Sequence, residues 1–388
     1  MTAPDVLSAG DDRERAGLRP VPGPDGRFPA LDGVRALAAL AVVLTHVGFQ
    51  TAEGVNGPFR SVLSRLDVGV AVFFVLSGFL LHRPQVVAAL SGRALPAVVP
   101  YLWRRALRVL PAYWLAVVAA LLVLPDNDGA TLGDWVRQLT LTQVYGADEL
   151  LPGLTQTWSL ATEVSFYLVL PLLGRLAGRT LRSQLLLCAA MYATGLGWQA
   201  LVAWDLLPPF TGYWLPAHAD WFALGMALAA LSAAGAGWLE ELCSDAVTCW
   251  IGAAALFVVA GTPLTGPYAL ALLTPSEALT RTVLYGAVSV LLVAPAITRR
   301  TDGPVRGLLV SRPARAVGRV SYGLFLLHLV VLAAAFDGLG IVPFTGGFWR
   351  LLAVVLPISL AVAWASLQLV EEPALRLRAR GPGRPARG

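Results

Sequence analysis

The side chains best suited to chemistry in this chain are ionisable residues inside apolar segments, where a charged group is costly and therefore marks a functional candidate. Arg35 and His46 share the first apolar segment and are eleven residues apart. Eleven residues make almost three helical turns, so both side chains project from one face, roughly 16 Å apart along the axis. Arginine is suited to binding phosphate and histidine to moving protons. The alternatives are a topology anchor for Arg35 and, for His46, a packed histidine bonded to a backbone carbonyl.

A carboxylate, Glu163, lies near the start of the fourth apolar segment, in the sequence Trp158-Ser-Leu-Ala-Thr-Glu-Val-Ser-Phe-Tyr167. Because the fourth segment runs opposite to the first in a simple up-and-down arrangement, Glu163 is predicted at about the depth of His46. A carboxylate and an imidazole at matching depth can form a charge-assisted pair. The alternative is a carboxylate at a helix start, stabilised by the helix dipole.

Three arginines, Arg104, Arg105 and Arg108, precede a Leu-Pro pair at the start of the third apolar segment. Arg105 and Arg108 are three residues apart and therefore share a helix face. Together with Arg35 they predict a guanidinium cluster suited to phosphate. The alternative is the general enrichment of arginine in cytoplasmic connections of membrane proteins.

The remaining ionisable candidates give weaker predictions. Asp220 begins the sixth apolar segment on the same side as Glu163. His328 lies in the middle of a segment, where either catalysis or a structural hydrogen bond to a neighbouring helix explains an imidazole. His82 and His218 lie near segment ends and need no special role. The three cysteines show no metal-ligand spacing, so the sequence predicts no metal site.

The elements that must position these residues are predicted to be transmembrane helices, because 56% of the 388 residues are hydrophobic and only 14% are charged. Repeated apolar stretches of about 20 residues are the length that a spanning helix requires. The fold class is therefore all-α, a polytopic integral membrane protein with about ten spans. The predicted spans are 31–49, 67–90, 106–125, 158–176, 183–203, 214–234, 245–262, 282–299, 316–336 and 349–370.

Arginines concentrate in every second connection between these spans, which predicts that both termini are cytoplasmic. The formal charge of +5 therefore indicates membrane topology and not nucleic-acid binding. We expect a disordered cytoplasmic tail at 1–29, a transmembrane domain at 30–373 and a basic cytoplasmic tail at 374–388. The lack of lysine beside abundant Ala, Gly and Pro suggests a GC-rich bacterial source, and hence a multi-pass protein of a bacterial plasma membrane.

Six segments in order give the chain, from about 29 to 376, a resemblance to membrane acyltransferase family 3, whose members acylate hydroxyls on glycans, lipids and natural products. The resemblance implies an acyl-CoA donor, usually acetyl-CoA. It also implies functional roles for a first-span arginine and histidine, an Arg-x-x-Arg pair and a fourth-span glutamate. The six segments are 31–40 with His46 following, 73–80, 104–113, 158–171, 318–328 and 370–373.

The expected function is therefore transfer of an acyl group, expected to be acetyl, from acyl-CoA to a hydroxyl of a glycan, glycolipid or glycosylated natural product. His46 is the expected general base, Glu163 orients it, and Arg35, Arg105 and Arg108 hold the CoA phosphates. A covalent acyl-His46 intermediate is the variant mechanism. Some relatives carry an esterase-like domain that this sequence lacks, so the acyl group passes either to the final acceptor directly or to a separate acyl-accepting protein.

Two other classes of protein share part of this pattern. A multi-span transporter of a small polar or anionic substrate also has charged residues inside its spans, but it consumes no thioester. A structural or sensory membrane protein would keep its activity when His46 is replaced.

Overall fold

The computed structural model of the chain describes residues 28–146, 149–268, 271, 273–298 and 303–380, with the side chains of 379 and 380 left out. In this part of the chain every regular element is helical. Nine helices there are long and apolar enough to cross a membrane, and Ala246–Ala260 is a shorter apolar helix. These findings confirm a polytopic all-α membrane protein. The main helices are α1 Ala30–Gln50, α2 Val68–Leu90, α3 Val98–Val123, α4 Thr157–Leu176, α5 Leu181–Ala203, α6 Ala219–Ala234, α7 Ala246–Ala260, α8 Pro275–Ile297, α9 Arg312–Leu339 and α10 Phe348–Ser366.

Short elements connect these helices. The short α-helices are Glu53–Asn56, Arg60–Leu63, Leu132–Leu139, Gln143–Gly146, Gly237–Leu242, Pro304–Leu309 and Glu372–Arg376. The 3₁₀ turns are Pro125–Asn127, Pro209–Tyr213, Leu215–His218, Pro263–Thr265 and Leu377–Arg380, and a π-helix follows α10 at Leu367–Glu371. Of the two predicted tails, residues 1–27 and 381–388 lie outside the described residues, as do Arg299 and Arg300 of the predicted cytoplasmic loop.

Two predicted spans begin too late. Helix α3 starts at Val98, eight residues before the predicted 106, and α8 starts at Pro275, seven residues before the predicted 282. The arginine and glutamate residues that suggested loops are good helix formers, and arginine's long side chain extends toward a polar region from within a helix. Arg104, Arg105 and Arg108 therefore lie on the helix itself.

The predicted span at 245–262 is shorter than a membrane requires. Helix α7 has 15 residues, which corresponds to about 22 Å, less than the roughly 30 Å of hydrocarbon. It packs against α8. This segment is therefore a short apolar helix beside the bundle and does not meet the length criterion for a span.

Helix α2 lies at the centre of the bundle and contacts α1, α4, α6 and α8. Small residues permit its close approach to α6: a Cβ on Gly78 would lie 2.3 Å from the carbonyl oxygen of Phe222, and one on Gly225 would lie 2.0 Å from that of Val75. Glycine at such crossings lets the backbones of two helices approach each other closely. This packing fixes the helix that forms one wall of the site.

Helix α1 packs along α9 in the same way. A Cβ on Gly318 would lie 2.1 Å from the carbonyl oxygen of Asp32, one turn before Arg35. The close crossing brings the far end of α1, which carries His46, against the middle of α9, which carries His328.

Candidate functional site

Three cavities follow one another along α1 and share walls. The arginine vestibule, about 920 Å³, is lined by Asp32, Arg35, Arg83, Arg93, Arg315 and Arg319 together with apolar residues. The central cavity, about 110 Å³, is lined by Arg35, Ser77, Arg108, Glu163, Tyr322 and Phe325 among others. The histidine chamber, about 800 Å³, contains His46 and shares Val70 and Phe325 with the central cavity. Arg35 lines both the vestibule and the central cavity, so α1 connects all three.

The arginine vestibule gathers basic residues from separate helices. Arg35 is near the start of α1, Arg93 follows α2, and Arg315 and Arg319 are in the first turns of α9. Arg35 has an ion pair at 3.4 Å with Asp32, which is the single carboxylate among the described lining residues. Five arginines and one carboxylate make this end strongly positive, which suits a ligand with several phosphates.

The predicted pair of Glu163 with His46 is wrong, because each has a different partner. Ser77 of α2 donates a hydrogen bond to Glu163, whose carboxylate lies in electrostatic range of Arg35 and Arg105. An estimate of depth does not determine which neighbouring helix a side chain faces, and Glu163 shares a cavity with Arg35. Glu163 therefore lies in the central cavity and not beside the imidazole.

The two arginines of the Arg-x-x-Arg pair differ in their contacts. Arg108 has an ion pair with Glu371 at 3.2 Å, and the Glu371 side chain is only 1% exposed. Glu371 ends the π-helix that follows α10. Single-turn π-helices are frequent at functional sites. The Nε of Arg105, by contrast, is buried and has no hydrogen-bond partner among the described residues. Arg108 thus lines the central cavity with its charge paired, whereas Arg105, which is not among the described lining residues of the three cavities, has a donor without a partner.

His46 and His328 form a pair whose hydrogen atoms can be assigned. The Nδ1 of His328 is 3.0 Å from the carbonyl oxygen of Leu324, which only accepts, so this nitrogen carries the hydrogen. In a neutral ring the Nε2 of His328 is then an acceptor. It is 2.9 Å from the Nδ1 of His46, which must therefore donate. The Nε2 of His46 keeps its lone pair, as a general base or a nucleophile requires.

The arrangement resembles a catalytic triad with a histidine in place of the orienting carboxylate. His328 is fully buried, whereas His46 is part-exposed and lines the chamber. The carbonyl of Val42, one turn before His46, also lies within hydrogen-bond reach of its ring. The sequence named His328 as a candidate without indicating its partner, since no spacing rule relates residues 282 positions apart.

The other sequence candidates have surroundings of their own. Asp220 is fully buried, and its carboxylate oxygens have no hydrogen-bond partner among the described residues. His218 packs between the rings of Trp158 and Trp221, and His82 is 2.8 Å from the amide oxygen of Gln184. The described part of the chain contains no group of three or more metal-ligating side chains.

Sequence reasoning missed a polar network in the chamber wall. Asp67, immediately before α2, pairs with Arg281 of α8, and the hydroxyl of Tyr285 donates to the same carboxylate at 2.5 Å. Because the predicted α8 began at residue 282, Arg281 was assigned to a loop. Its helical spacing of four residues from Tyr285 was therefore not recognised.

Comparison with known proteins adds a family to this geometry. The sequence model of one family, described as an acyltransferase domain, matches residues 28–367. The chain is 28% identical to the acyltransferase MdmB of Streptomyces mycarofaciens over 79% of each chain. It is 30% identical to the exopolysaccharide production protein ExoZ of Rhizobium meliloti over 79% of this chain and 89% of ExoZ.

A third relative matches over a shorter segment. The peptidoglycan O-acetyltransferase OatA of Listeria monocytogenes is 28% identical over 37% of this chain and 23% of its own length. No solved structure matches the chain.

Proposed function

The chain belongs to this family of membrane acyltransferases, and we propose that it transfers an acyl group, expected to be acetyl, from acyl-CoA to a hydroxyl of a glycan, glycolipid or glycosylated natural product. One observation carries the proposal: the hydrogen-bond chain Leu324–His328–His46 leaves a lone pair on His46 in the chamber. The same helix presents Arg35 to a basic vestibule roughly 16 Å away along its axis. A base and a phosphate-binding end are the two parts that thioester transfer from CoA needs.

The donor enters from the arginine vestibule. CoA carries several phosphates, and guanidinium groups bind phosphate through charge-assisted, often bidentate hydrogen bonds. Arg35 and Arg105 are the proposed main contacts, and Arg108, held by Glu371, shapes the wall of the central cavity. Because CoA is a cytoplasmic metabolite, this assignment places the vestibule on the cytoplasmic face of a bacterial plasma membrane.

The reaction proceeds at the Nε2 of His46. This nitrogen removes the proton of the acceptor hydroxyl, and the oxygen attacks the thioester carbonyl carbon. The carbon–sulfur bond breaks, and the leaving thiolate takes the proton back from the same nitrogen. His328 accepts the Nδ1 hydrogen bond throughout, which holds the ring and stabilises the imidazolium formed in between. Glu163 acts on the donor side, where it offsets part of the arginine charge.

The test is release of free thiol from acetyl-CoA by the purified protein in detergent, wild type against His46→Ala. General-base catalysis contributes about 10²- to 10⁴-fold, so the variant should lose at least about 10²-fold in rate. Arg105→Ala should instead weaken donor binding. Uptake of a substrate by proteoliposomes without any thioester consumption would favour the transporter.

A further inference from the structure

The arginines among the described lining residues of the histidine chamber already have hydrogen-bond or ion-pair partners within the protein. Arg65, 1% exposed, donates from Nε to the carbonyl oxygen of Ala260 at 3.0 Å and from Nη1 to that of Pro267 at 3.1 Å. A third bond runs from its Nη2 to the carbonyl oxygen of Gly266. All three nitrogens of this guanidinium therefore have backbone partners.

The other charged groups of the chamber compensate one another. Arg281 pairs with Asp67, which also accepts a hydrogen bond from Tyr285. Glu149 lies exposed at the rim. The two arginines and two carboxylates among the described lining residues give a formal charge of zero. Burial raises the pKa of the Tyr213 phenol, so this lining residue stays neutral as well.

Two side chains of the chamber lining, Ser64 and Gln156, have a buried polar atom without a hydrogen-bond partner among the described residues, and that of Gln156 is held in a fixed orientation. Gln156, 2% exposed, donates from Nε2 to the carbonyl oxygens of Leu326 at 2.7 Å and Gly153 at 3.2 Å. Two carbonyls around one end of the amide identify that end as the NH₂ group, since the flipped amide would face them with its own oxygen. The Oε1 of Gln156 is then buried without a hydrogen-bond partner among the described residues. It needs a donor, which a ligand hydroxyl supplies.

The rest of the described lining combines aromatic and aliphatic residues with the uncharged polar side chains of Thr45, Gln50, Ser64 and Thr155. Trp158, Phe210, Tyr213 and Tyr268 face the same space of about 800 Å³. Ligand pockets of this size are typically apolar and aromatic, with a few fixed polar groups that orient the ligand. The chamber has this composition, in contrast to the arginine vestibule.

We propose that the histidine chamber is the acceptor site and takes an uncharged, hydroxyl-rich acceptor such as a neutral glycosyl unit, with Gln156 as a specificity-determining residue. Its Oε1 accepts a hydrogen bond from a hydroxyl neighbouring the one that His46 deprotonates. The two ends of the protein then separate their ligands by charge, since an anion is attracted to the vestibule, whereas both arginines among the described lining residues of the chamber already have partners. This inference rests on the proposed acyl transfer.

The experiment measures thiol release from acetyl-CoA by the full-length protein in detergent, with methyl glucoside, methyl glucuronide or cyclohexanol as acceptor, and product acylation by mass spectrometry. Methyl glucoside should stimulate His46-dependent release, and methyl glucuronide at least about tenfold less. Gln156→Leu should lower kcat/KM for methyl glucoside about tenfold, the loss of one hydrogen bond.

Gln143→Leu is the matched control. Gln143 is also buried, its Oε1 also has no partner among the described residues, and it lies outside the chamber lining. This variant should keep the wild-type ratio of acceptor-dependent to acceptor-free rate. Equal use of glucuronide and glucoside, or His46-dependent release that no glycoside stimulates, would overturn the inference alone. Thiol release that does not depend on His46 would overturn the proposed function, and the inference with it.

Discussion

Replacing His328 with phenylalanine removes the hydrogen-bond acceptor of His46 while a ring of similar size fills the same buried space. In the protein, the Nε2 of His328 is 2.9 Å from the Nδ1 of His46. The variant therefore changes one bond at the proposed base and leaves every residue of the arginine vestibule in place. We expect a loss in kcat with little change in the KM for acetyl-CoA.

The size of the loss follows from the contacts that remain. In serine-protease triads, loss of tautomer control costs about 10⁴-fold. Here the carbonyl of Val42 still interacts with the His46 ring, so the variant does not remove every hydrogen-bond acceptor from that ring. What disappears is one hydrogen bond to a ring that becomes charged in the transition state, worth about 1.5–3 kcal/mol. The expected decrease in kcat is thus about 10- to 150-fold.

The assay compares initial rates of thiol release for wild type, His328→Phe and His328→Gln. Glutamine places an oxygen where the acceptor nitrogen lies and should restore kcat to within about fivefold of wild type. His82→Phe is the control, because His82 is equally buried and bonded to Gln184 away from the chamber. Nitrogen NMR of labelled histidine should show an unprotonated Nε2 on His46 in the wild type.

Two results would refute this reasoning. A folded His328→Phe protein with wild-type kcat would show that the pair is merely structural. A His46 ring protonated on Nε2 in the resting wild type would show that the hydrogen atoms were assigned in the wrong order.

Two further predictions concern the donor side and the packing of the bundle. Arg105→Ala should raise the KM for acetyl-CoA about tenfold and leave the thermal stability unchanged. Arg108→Ala should lower the free energy of unfolding by about 3 kcal/mol, because its buried partner Glu371 is left unpaired. Thermal unfolding in detergent and donor titrations separate the two. Gly225→Ala should destabilise by about 1–3 kcal/mol, since its Cβ would lie 2.0 Å from a backbone oxygen, and Gly197→Ala, with no atom within 4 Å, should not.

The opposite patterns would contradict these assignments. If Arg105→Ala and Arg108→Ala raised the KM for acetyl-CoA equally, Arg108 would bind the donor despite its ion pair with Glu371. A Gly225→Ala protein as stable as wild type would mean that the central helices separate easily, which the close crossing of α2 and α6 argues against.

The fold was predictable from the sequence because hydrocarbon imposes length and apolarity on each span. The helices of the site, and the placement of Arg35 and His46 at opposite ends of α1, followed from spacing within one segment. Contacts between segments did not follow. The partner of His46 depends on how α1 and α9 cross, which Gly318 and Asp32 determine by backbone contact, and sequence spacing carries no such information. For the same reason the sequence predicted the position of Glu163 along its helix but the wrong partner for its carboxylate.

The glutamine variant also decides between direct transfer and a covalent intermediate. Attack of the Nε2 of His46 on the thioester carbonyl would break the carbon–sulfur bond, release the CoA thiolate and give an acyl-imidazolium, which becomes a neutral acyl-imidazole only when Nδ1 loses its proton. His328 is positioned to take that proton, whereas glutamine accepts a hydrogen bond but no proton. Direct transfer never moves the Nδ1 proton, so it predicts an active His328→Gln protein. A covalent route predicts that glutamine is as damaging as phenylalanine, and that an acetyl label trapped on wild-type His46 by rapid quenching is absent from both variants.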